Sequence, residues 1–451
     1  MKKSNKFLFI FNLIIFLFVS FSCSNAEKEQ IEKDLLFRAN AKETYLAIQQ
    51  DNLKKEQAIS SFVENLSLNE RISQLFLVNL EGNKKFIPVE FFDDGKPMVP
   101  GGYLFFSYNV ADTASGVADF TASIDSFCKE NQIIPPLLGI DQEGGLVNRL
   151  RKVASALPSA KLIAERLSPS QAEEYYEVQG RQMSAMGFHL NLAPVAEALD
   201  QGNSAFLDTR SYGDSETVEK YAESAVTGYK NGNILAVLKH FPGNTNDDPH
   251  TGLPEIKLSE KDLENNYLKP FQNLLESKPA GVLMSHARTS AFDSKKPACL
   301  SEYWVTEVLR NKYNYKGLIF SDDIFMAALE KNGFPPDVAV VMAIEAGIDV
   351  IMLSEKRFGS ALNVLGKIAE TDEDFADKIF QSVCRIVKAK IDAGILSMER
   401  NGEGYLVKLN VNDKIVFDEV FYEANQQGKI LYEKYFTKNT LVVNHEYNRC
   451  R

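Results

Sequence analysis

The chain reads as an α/β protein, a (β/α)8 barrel of the TIM type with an extra C-terminal helix and strand. Three observations predict it. Eight short apolar runs are centred on Leu75–Val78, Tyr103–Phe106, Leu137–Ile140, Leu190–Ala193, Ala236–Leu238, Gly281–Met284, Leu318–Phe320 and Val350–Leu353. Each is continuously apolar rather than alternating, as a strand buried on both faces of a parallel sheet must be. Helical periodicity fills most intervals, as in Glu216–Tyr229, Glu260–Leu275, Glu302–Asn311 and Val338–Ala346. Alternation at this spacing calls for parallel strands joined by helical crossovers. Charged residues also gather just after the apolar runs, at the strand ends where such barrels keep their chemistry.

Taken in order, the elements begin with Met1-Lys2-Lys3 and Lys6 ahead of the apolar run Phe7–Phe21, closed by Ser22-Cys23. This pattern predicts a bacterial lipoprotein-type signal over residues 1–23, with Cys23 as the lipidated first mature residue. The run is too short for a membrane span. An uncleaved anchor or a plain signal peptide is the alternative. The expected location is outside the cytoplasm, anchored to a membrane through lipid on its periplasmic or cell-surface face. Residues 24–58 are polar and rich in Lys and Glu, a tether or a leading helix. The barrel is expected over residues 59–398, with Gly101-Gly102 and Gly347 preceding strands and Phe375–Ile395 as the closing helix. Residues 399–451 form a C-terminal extension: a polar hairpin-like piece, a helix around Asp418–Phe436, and the apolar run Thr440–Val443.

Composition bounds the function. A hydrophobic content of 45% supports a large core, and a net charge of −11 argues against nucleic acid as a partner. Cys128, Cys299, Cys384 and Cys450 are widely spaced and show no metal-ligand pattern, so neither metal nor cofactor is expected.

Chemistry concentrates in three places. Lys239-His240-Phe241-Pro242-Gly243 follows an apolar strand, and Asp248-Pro249-His250 follows it. An Asp-x-His pair can act as a proton-transfer dyad, the carboxylate fixing the imidazole tautomer. Gly317–Phe320 runs into Ser321-Asp322-Asp323, where Asp322 faces the barrel mouth as a nucleophile candidate and Asp323 caps or supports. Pro136–Ile140 runs into Asp141-Gln142-Glu143-Gly144-Gly145 and then Arg149. Asp141 can accept from vicinal hydroxyls, and Arg149 can fork onto an oxygen-rich group. His240 is either a sugar ligand or a strand-end histidine satisfied by backbone. His286 and Arg288 lie at another strand end, lining the pocket or forming a structural polar ring.

Together, Asp-Gln-Glu-Gly-Gly-x-Val-x-Arg, Asp-x-Arg-Ser-Tyr-Gly (Asp208 to Gly213), Lys-His-Phe-Pro-Gly, Asp-x-His and Ser-Asp-Asp resemble, in this order, glycoside hydrolase family 3, and within it the NagZ-like β-N-acetylhexosaminidase branch. The resemblance spans residues 60 to 395. It implies a (β/α)8 barrel and hydrolysis with retention. It implies Asp322 as nucleophile, His250 as acid/base oriented by Asp248, and Asp141, Arg149, Arg210, Lys239 and His240 as sugar-binding residues. The implied substrate is a glycan carrying terminal β-linked N-acetylglucosamine, peptidoglycan-derived or related.

The sequence departs from the family in one loop. The usual Lys-His-Phe-Pro-Gly-His-Gly is here Lys239 to Gly243 followed by Asn244-Thr245-Asn246-Asp247, and Pro249 occupies the middle of the dyad. Pro249 biases Asp248 toward extended backbone. A His/Asp dyad avoids placing a second full negative charge close to the nucleophile. Arg210 and Lys239 are expected to offset the charges of Asp322 and Asp141. Some family members take an acid/base carboxylate from a second domain, which the last fifty residues leave no room for, and this favours His250. Two other classes of reading stand beside the enzyme: a surface sugar-binding lipoprotein with a weakened barrel site, and a β-glucosidase or β-xylosidase of the same family. A phosphate-dependent variant of the same chemistry is also open.

Overall fold

The computed structural model describes residues 25–89, 91–92, 95–247, 252–410 and 417–437. The signal-like residues 1–23, with Cys23, and the run Thr440–Val443 lie outside them. The chain divides into two compact units, one within Met1–Ser60 and Glu399–Leu406, the other within Ser61–Met398 and Val407–Arg451. In the first, residues 25–60 belong to the helix Asn25–Glu64. There the Tyr405 hydroxyl donates to Asp51 at 2.6 Å, and Lys55 pairs with Asp51 at 2.7 Å. Among the described residues, no helix is long and apolar enough to cross a membrane.

The second unit is built on eight parallel strands: β1 Phe76–Asn79, β2 Gly102–Phe105, β3 Leu137–Ile140, β4 Leu190–Asn191, β5 Leu235–Phe241, β6 Gly281–Met284, β7 Leu318–Phe320 and β8 Ile351–Leu353. They hydrogen-bond in the order β7-β6-β5-β4-β3-β2-β1-β8, and a parallel bridge between Phe320 and Val350 joins the two ends. The fold is the (β/α)8 barrel that the apolar runs predict. Strands are buried almost throughout because the helices cover them outside and their own side chains fill the inside.

Helix boundaries follow local chemistry. Thr113, Ser168, Asp214 and Asp372 each accept a backbone N–H in the first turn of the helices Ala114–Asn131, Pro169–Ala185, Ser215–Asn231 and Glu373–Asp392. Gly347, at φ 100°, ends the helix Pro336–Ala346 in a left-handed turn that a side chain would resist. The closing helix buries Phe375, Ile379, Val383, Ile386 and Val387, a stripe spaced by three, four and one residues.

Two features differ from simple alternation. Among the described residues, no helix links β1 to β2. The connection instead carries an antiparallel ribbon of Phe91–Phe92 with Lys96–Pro97. Gly82, Pro88, Gly95, Pro97 and Pro100 break any helical run there. In addition, the helix Phe417–Tyr432 packs on Pro169–Ala185, with Arg181 reaching Glu423 at 3.2 Å. Gly428 permits this approach: a Cβ there would fall 2.1 Å from the Ser155 hydroxyl.

At the N-terminal end of β7 and β8, Asp349 is fully buried and locks the barrel closure. It accepts from Arg310, from Arg385 at 3.0 Å and from the Ile319 N–H at 2.7 Å. Replacing it leaves two guanidinium groups facing a buried hole. Asp349→Ala is expected to lower unfolding free energy by about 3–5 kcal/mol, measured by urea titration against the native chain.

Candidate active site

A cavity of about 320 Å³ opens at the C-terminal ends of the strands. Its wall draws residues from across the barrel. Asn79 ends β1, Phe106 follows β2, and Asp141, Glu143 and Arg149 follow β3. Arg210 stands on the loop after β4, Lys239 and His240 end β5, and Asp322 and Asp323 follow β7. Of the residues read from the sequence, Asp141, Arg149, Arg210, Lys239, His240 and Asp322 are thus brought together. Asp248 and His250 lie outside the described residues.

The β3–β5 side is an ion-paired lattice. The Lys239 ammonium, 3% exposed as a residue, donates to Asp141 at 2.7 Å and meets Glu143 at 2.6 Å. Arg210 forks onto the other side of Glu143, Nε at 2.8 Å and Nη2 at 3.0 Å. Arg149 approaches Asp141 at 3.9 Å. Burial alone would raise the Glu143 carboxyl, but Lys239 and Arg210 outweigh it and hold the group down at about 2. Burial works likewise against the Lys239 charge, and Asp141 and Glu143 overcome it, leaving the ammonium raised. This corrects one expectation. Lys239 serves Asp141 and Glu143, Arg210 serves Glu143, and neither forms an ion pair with Asp322.

Asp322 stands on the other side of the cavity. One of its oxygens accepts the Asp323 N–H at 2.9 Å. Asp323 is a support: its Oδ1 accepts the Phe325 N–H at 3.0 Å and the Ser354 N–H at 2.8 Å, tying the β7 loop to the β8 loop. Burial raises its carboxyl, partly offset by those bonds. His286 lies behind it, donating from Nε2 to the Asp323 carbonyl at 3.0 Å with Cys299 Sγ at 3.2 Å from Nδ1. It is a structural residue and does not line the cavity, and Arg288 belongs to a short ribbon with Glu255–Ile256.

His240 is satisfied by neither backbone nor solvent. Its Nδ1 lies 2.6 Å from Glu197 Oε1, which also accepts the His240 N–H and the Asn244 amide at 3.2 Å each. A carboxylate only accepts, so Nδ1 carries the proton and Nε2 is the ring atom left for a ligand. Glu197, 2% exposed, has its second oxygen buried without a partner. Glu143 and Glu197 are the functional residues that sequence reasoning left without a role. Glu197 did carry a signal: it is the lone carboxylate in the apolar run 190–198, and such a charge needs a buried partner. Phe106 and Phe206 are also in the wall, with Arg149 and Arg210 guanidinium carbons 5.7 Å and 5.4 Å from their ring centres.

The loop after β5 is anchored at both described ends. Asn246 Oδ1 accepts the Ala205 N–H at 2.7 Å, and its own N–H donates to the Gly202 carbonyl at 2.7 Å. Beyond the dyad, Glu255–Ile256 pairs with Arg288–Thr289. Among the described residues, no group of His, Cys, Asp or Glu could hold a metal ion.

Residues 67–389 match the Glycosyl hydrolase family 3 N terminal domain. The chain is 27% identical over 318 residues to beta-hexosaminidase A of Pseudoalteromonas piscicida, covering 64% of this chain and 53% of that protein. It is 30% identical over 268 residues to beta-hexosaminidase LpqI of Mycobacterium tuberculosis, covering 57% and 68%. It therefore spans about half the length of the first and about two thirds of the second. Among solved structures, a glycoside hydrolase family 3 beta-N-acetylglucosaminidase from Paenibacillus aligns with a TM-score of 0.68 at 27% identity, covering 80% of this chain and 68% of that one.

Two outcomes follow from this geometry. The Glu143 carboxyl sits near 2 when folded and near 4.5 when free. Its stabilisation is therefore fully present above about pH 4.5 and is lost as pH falls toward 2, a swing of roughly 3 kcal/mol. Glu143→Gln is expected to flatten the unfolding free energy of the native chain across that window. The His240 ring is expected to show the Nδ1–H tautomer in two-dimensional ¹⁵N–¹H imidazole spectra of the neutral form. Glu197→Gln, whose amide can donate as well as accept, should shift those signals. Unchanged spectra would mean that Glu197 does not set the tautomer.

Proposed function

The chain belongs to glycoside hydrolase family 3, and on that premise we propose that it is an exo-acting, retaining β-N-acetylhexosaminidase. It removes terminal β-linked N-acetylglucosamine from peptidoglycan-derived or related glycans. The observation that carries this reading is the division of the cavity. Among the described residues Asp322, just after β7, has no ion-pair partner, and it faces a charged, buried hydrogen-bonding lattice on β3–β5.

In this reading the sugar hydroxyls meet Asp141, Lys239, Arg149 and His240 Nε2, and the anomeric carbon lies toward Asp322. The lattice is pre-paired, so these donors and acceptors need no rearrangement when a sugar enters. Asp322 attacks the anomeric carbon as the glycosidic C–O bond breaks. His250, oriented by Asp248, gives its proton to the departing oxygen. Water then attacks the glycosyl–enzyme ester, His250 takes the water proton, and Asp322 is released as carboxylate. Two displacements return the original configuration. Charged pairs line the β3–β5 side of the cavity, and in this reading they hold the end of a glycan rather than its middle.

The activity assigned to the beta-hexosaminidases that the chain resembles supports this substrate class. The apolar run ending at Cys23 supports an exported protein, lipid-anchored to a membrane, which meets such glycans outside the cytoplasm.

The test is release of p-nitrophenol from the β-N-acetylglucosaminide and the β-glucoside by the full chain. Turnover of the N-acetyl substrate and not the glucoside is expected. Asp322→Ala should lose about 10⁴-fold or more, and His250→Ala about 10²- to 10⁴-fold, less on leaving groups that need no proton. Sugar binding without turnover of either substrate would replace the hydrolase by a binding module.

A further inference from the structure

We infer that Phe106 and Tyr108 form a leaving-group subsite, a flat ledge on which the first sugar ring beyond the scissile bond stacks. This inference rests on the hydrolase reading and names where the remainder of its substrate lies.

The ledge begins inside the cavity. Phe106 follows β2 and lines the wall beside Arg149. Tyr108 stacks on Phe106, with ring centres 5.8 Å apart and planes within 3° of parallel. Tyr108 is 54% exposed. A large aromatic ring left half in water, with one side stacked on a cavity-lining ring, has its outer apolar face open to a ligand.

The ledge is also rigid. Residues 107–109 form a single tight turn held by Asn109, which is fully buried. Its Oδ1 accepts the Phe106 N–H at 3.0 Å, and its amide donates to the Leu80 and Gly82 carbonyls at 3.0 Å and 2.9 Å. The turn after β2 is thereby fixed to the loop after β1. A ring held in place by a buried amide loses little freedom when a ligand settles on it.

Chemistry selects the occupant. The deep side of the cavity is charged and directional, suited to hydroxyls. The ledge is flat and apolar, with the Glu81–Lys356 ion pair beside Tyr108. A pyranose presents a face of C–H bonds whose positive hydrogens meet the negative face of an aromatic ring, and its hydroxyls point outward at the rim. A displacement with inversion at each step expels the leaving oxygen from the side opposite Asp322. The leaving group then moves away from β7 and out of the lattice on β3–β5, and on the remaining rim Phe106 brings the β2 loop into the cavity wall. A sugar ring fits that rim better than an extended peptide, which would need backbone partners that a bare aromatic face does not supply.

The experiment compares two substrates with one donor sugar. N,N′-Diacetylchitobiose has a sugar as leaving group, and β-N-acetylglucosaminyl fluoride has none. The readout is the ratio of kcat/KM for disaccharide over fluoride in the native full chain, Tyr108→Ala and Tyr108→Phe. The ratio is expected to fall about five- to tenfold in Tyr108→Ala and to stay near native in Tyr108→Phe. A ratio unchanged in Tyr108→Ala, whether both rates hold or fall together, overturns the subsite alone. A native chain inactive on both substrates overturns the hydrolase reading and the subsite with it.

Discussion

The buried ammonium of Lys239 is the interaction on which the barrel mouth depends. It sits between Asp141 and Glu143, and Glu143 passes its second face to Arg210. One charge chain therefore spans the ends of β3, β4 and β5. A lysine this deeply buried costs several kcal/mol unless it is fully paired, and the two carboxylates would repel without it. No member is stable alone, so the set specifies one arrangement of three loops. That arrangement is also a ready-made surface for hydroxyl groups, because each carboxylate oxygen and guanidinium edge is fixed before anything binds.

The remainder of the site is arranged against that lattice. Lys239 and Arg210 pair with Asp141 and Glu143, and neither forms an ion pair with Asp322. Asp322 keeps only a backbone N–H from its neighbour. The proposed reaction needs such a lightly held carboxylate as its nucleophile, whereas one forked by arginine would have much of its electron density engaged. Asp323 takes the supporting role that its neighbour does not, fastening the β7 loop to the β8 loop through two accepted N–H bonds.

Much of this was legible in the sequence, and the rest was hidden for identifiable reasons. The eight strands were readable because both faces are buried, so each appears as an uninterrupted apolar run. Asp322 and Asp323 were separable because they directly follow such a run. By contrast, β5 runs to Phe241, so Lys239 and His240 are strand residues rather than loop residues. Their polar character concealed this, since polar side chains on the barrel mouth look the same as a loop in one dimension. Glu197 escaped because its meaning lies in His240, which is 43 residues away. The redistribution of Arg210 and Lys239 escaped for the same reason: the sequence shows which charges exist but not which neighbours they choose.

The proposed reaction asks different things of its nucleophile and its proton donor. A nucleophile must approach carbon along one line, and a strand end fixed on both sides delivers that. A proton donor must reach an oxygen that departs during the reaction, so its position has to follow the leaving group rather than the scaffold. The sequence puts the Asp248–His250 pair between two fastened points. Asn246 grips the loop after β4 on one side, and Ile256 pairs beside Thr289 on the other. Only eight residues, 247 to 254, separate Asn246 from the start of that second pairing at Glu255. In the proposed reaction the proton donor is therefore carried on a short connection with a proline in it, not on a long free loop.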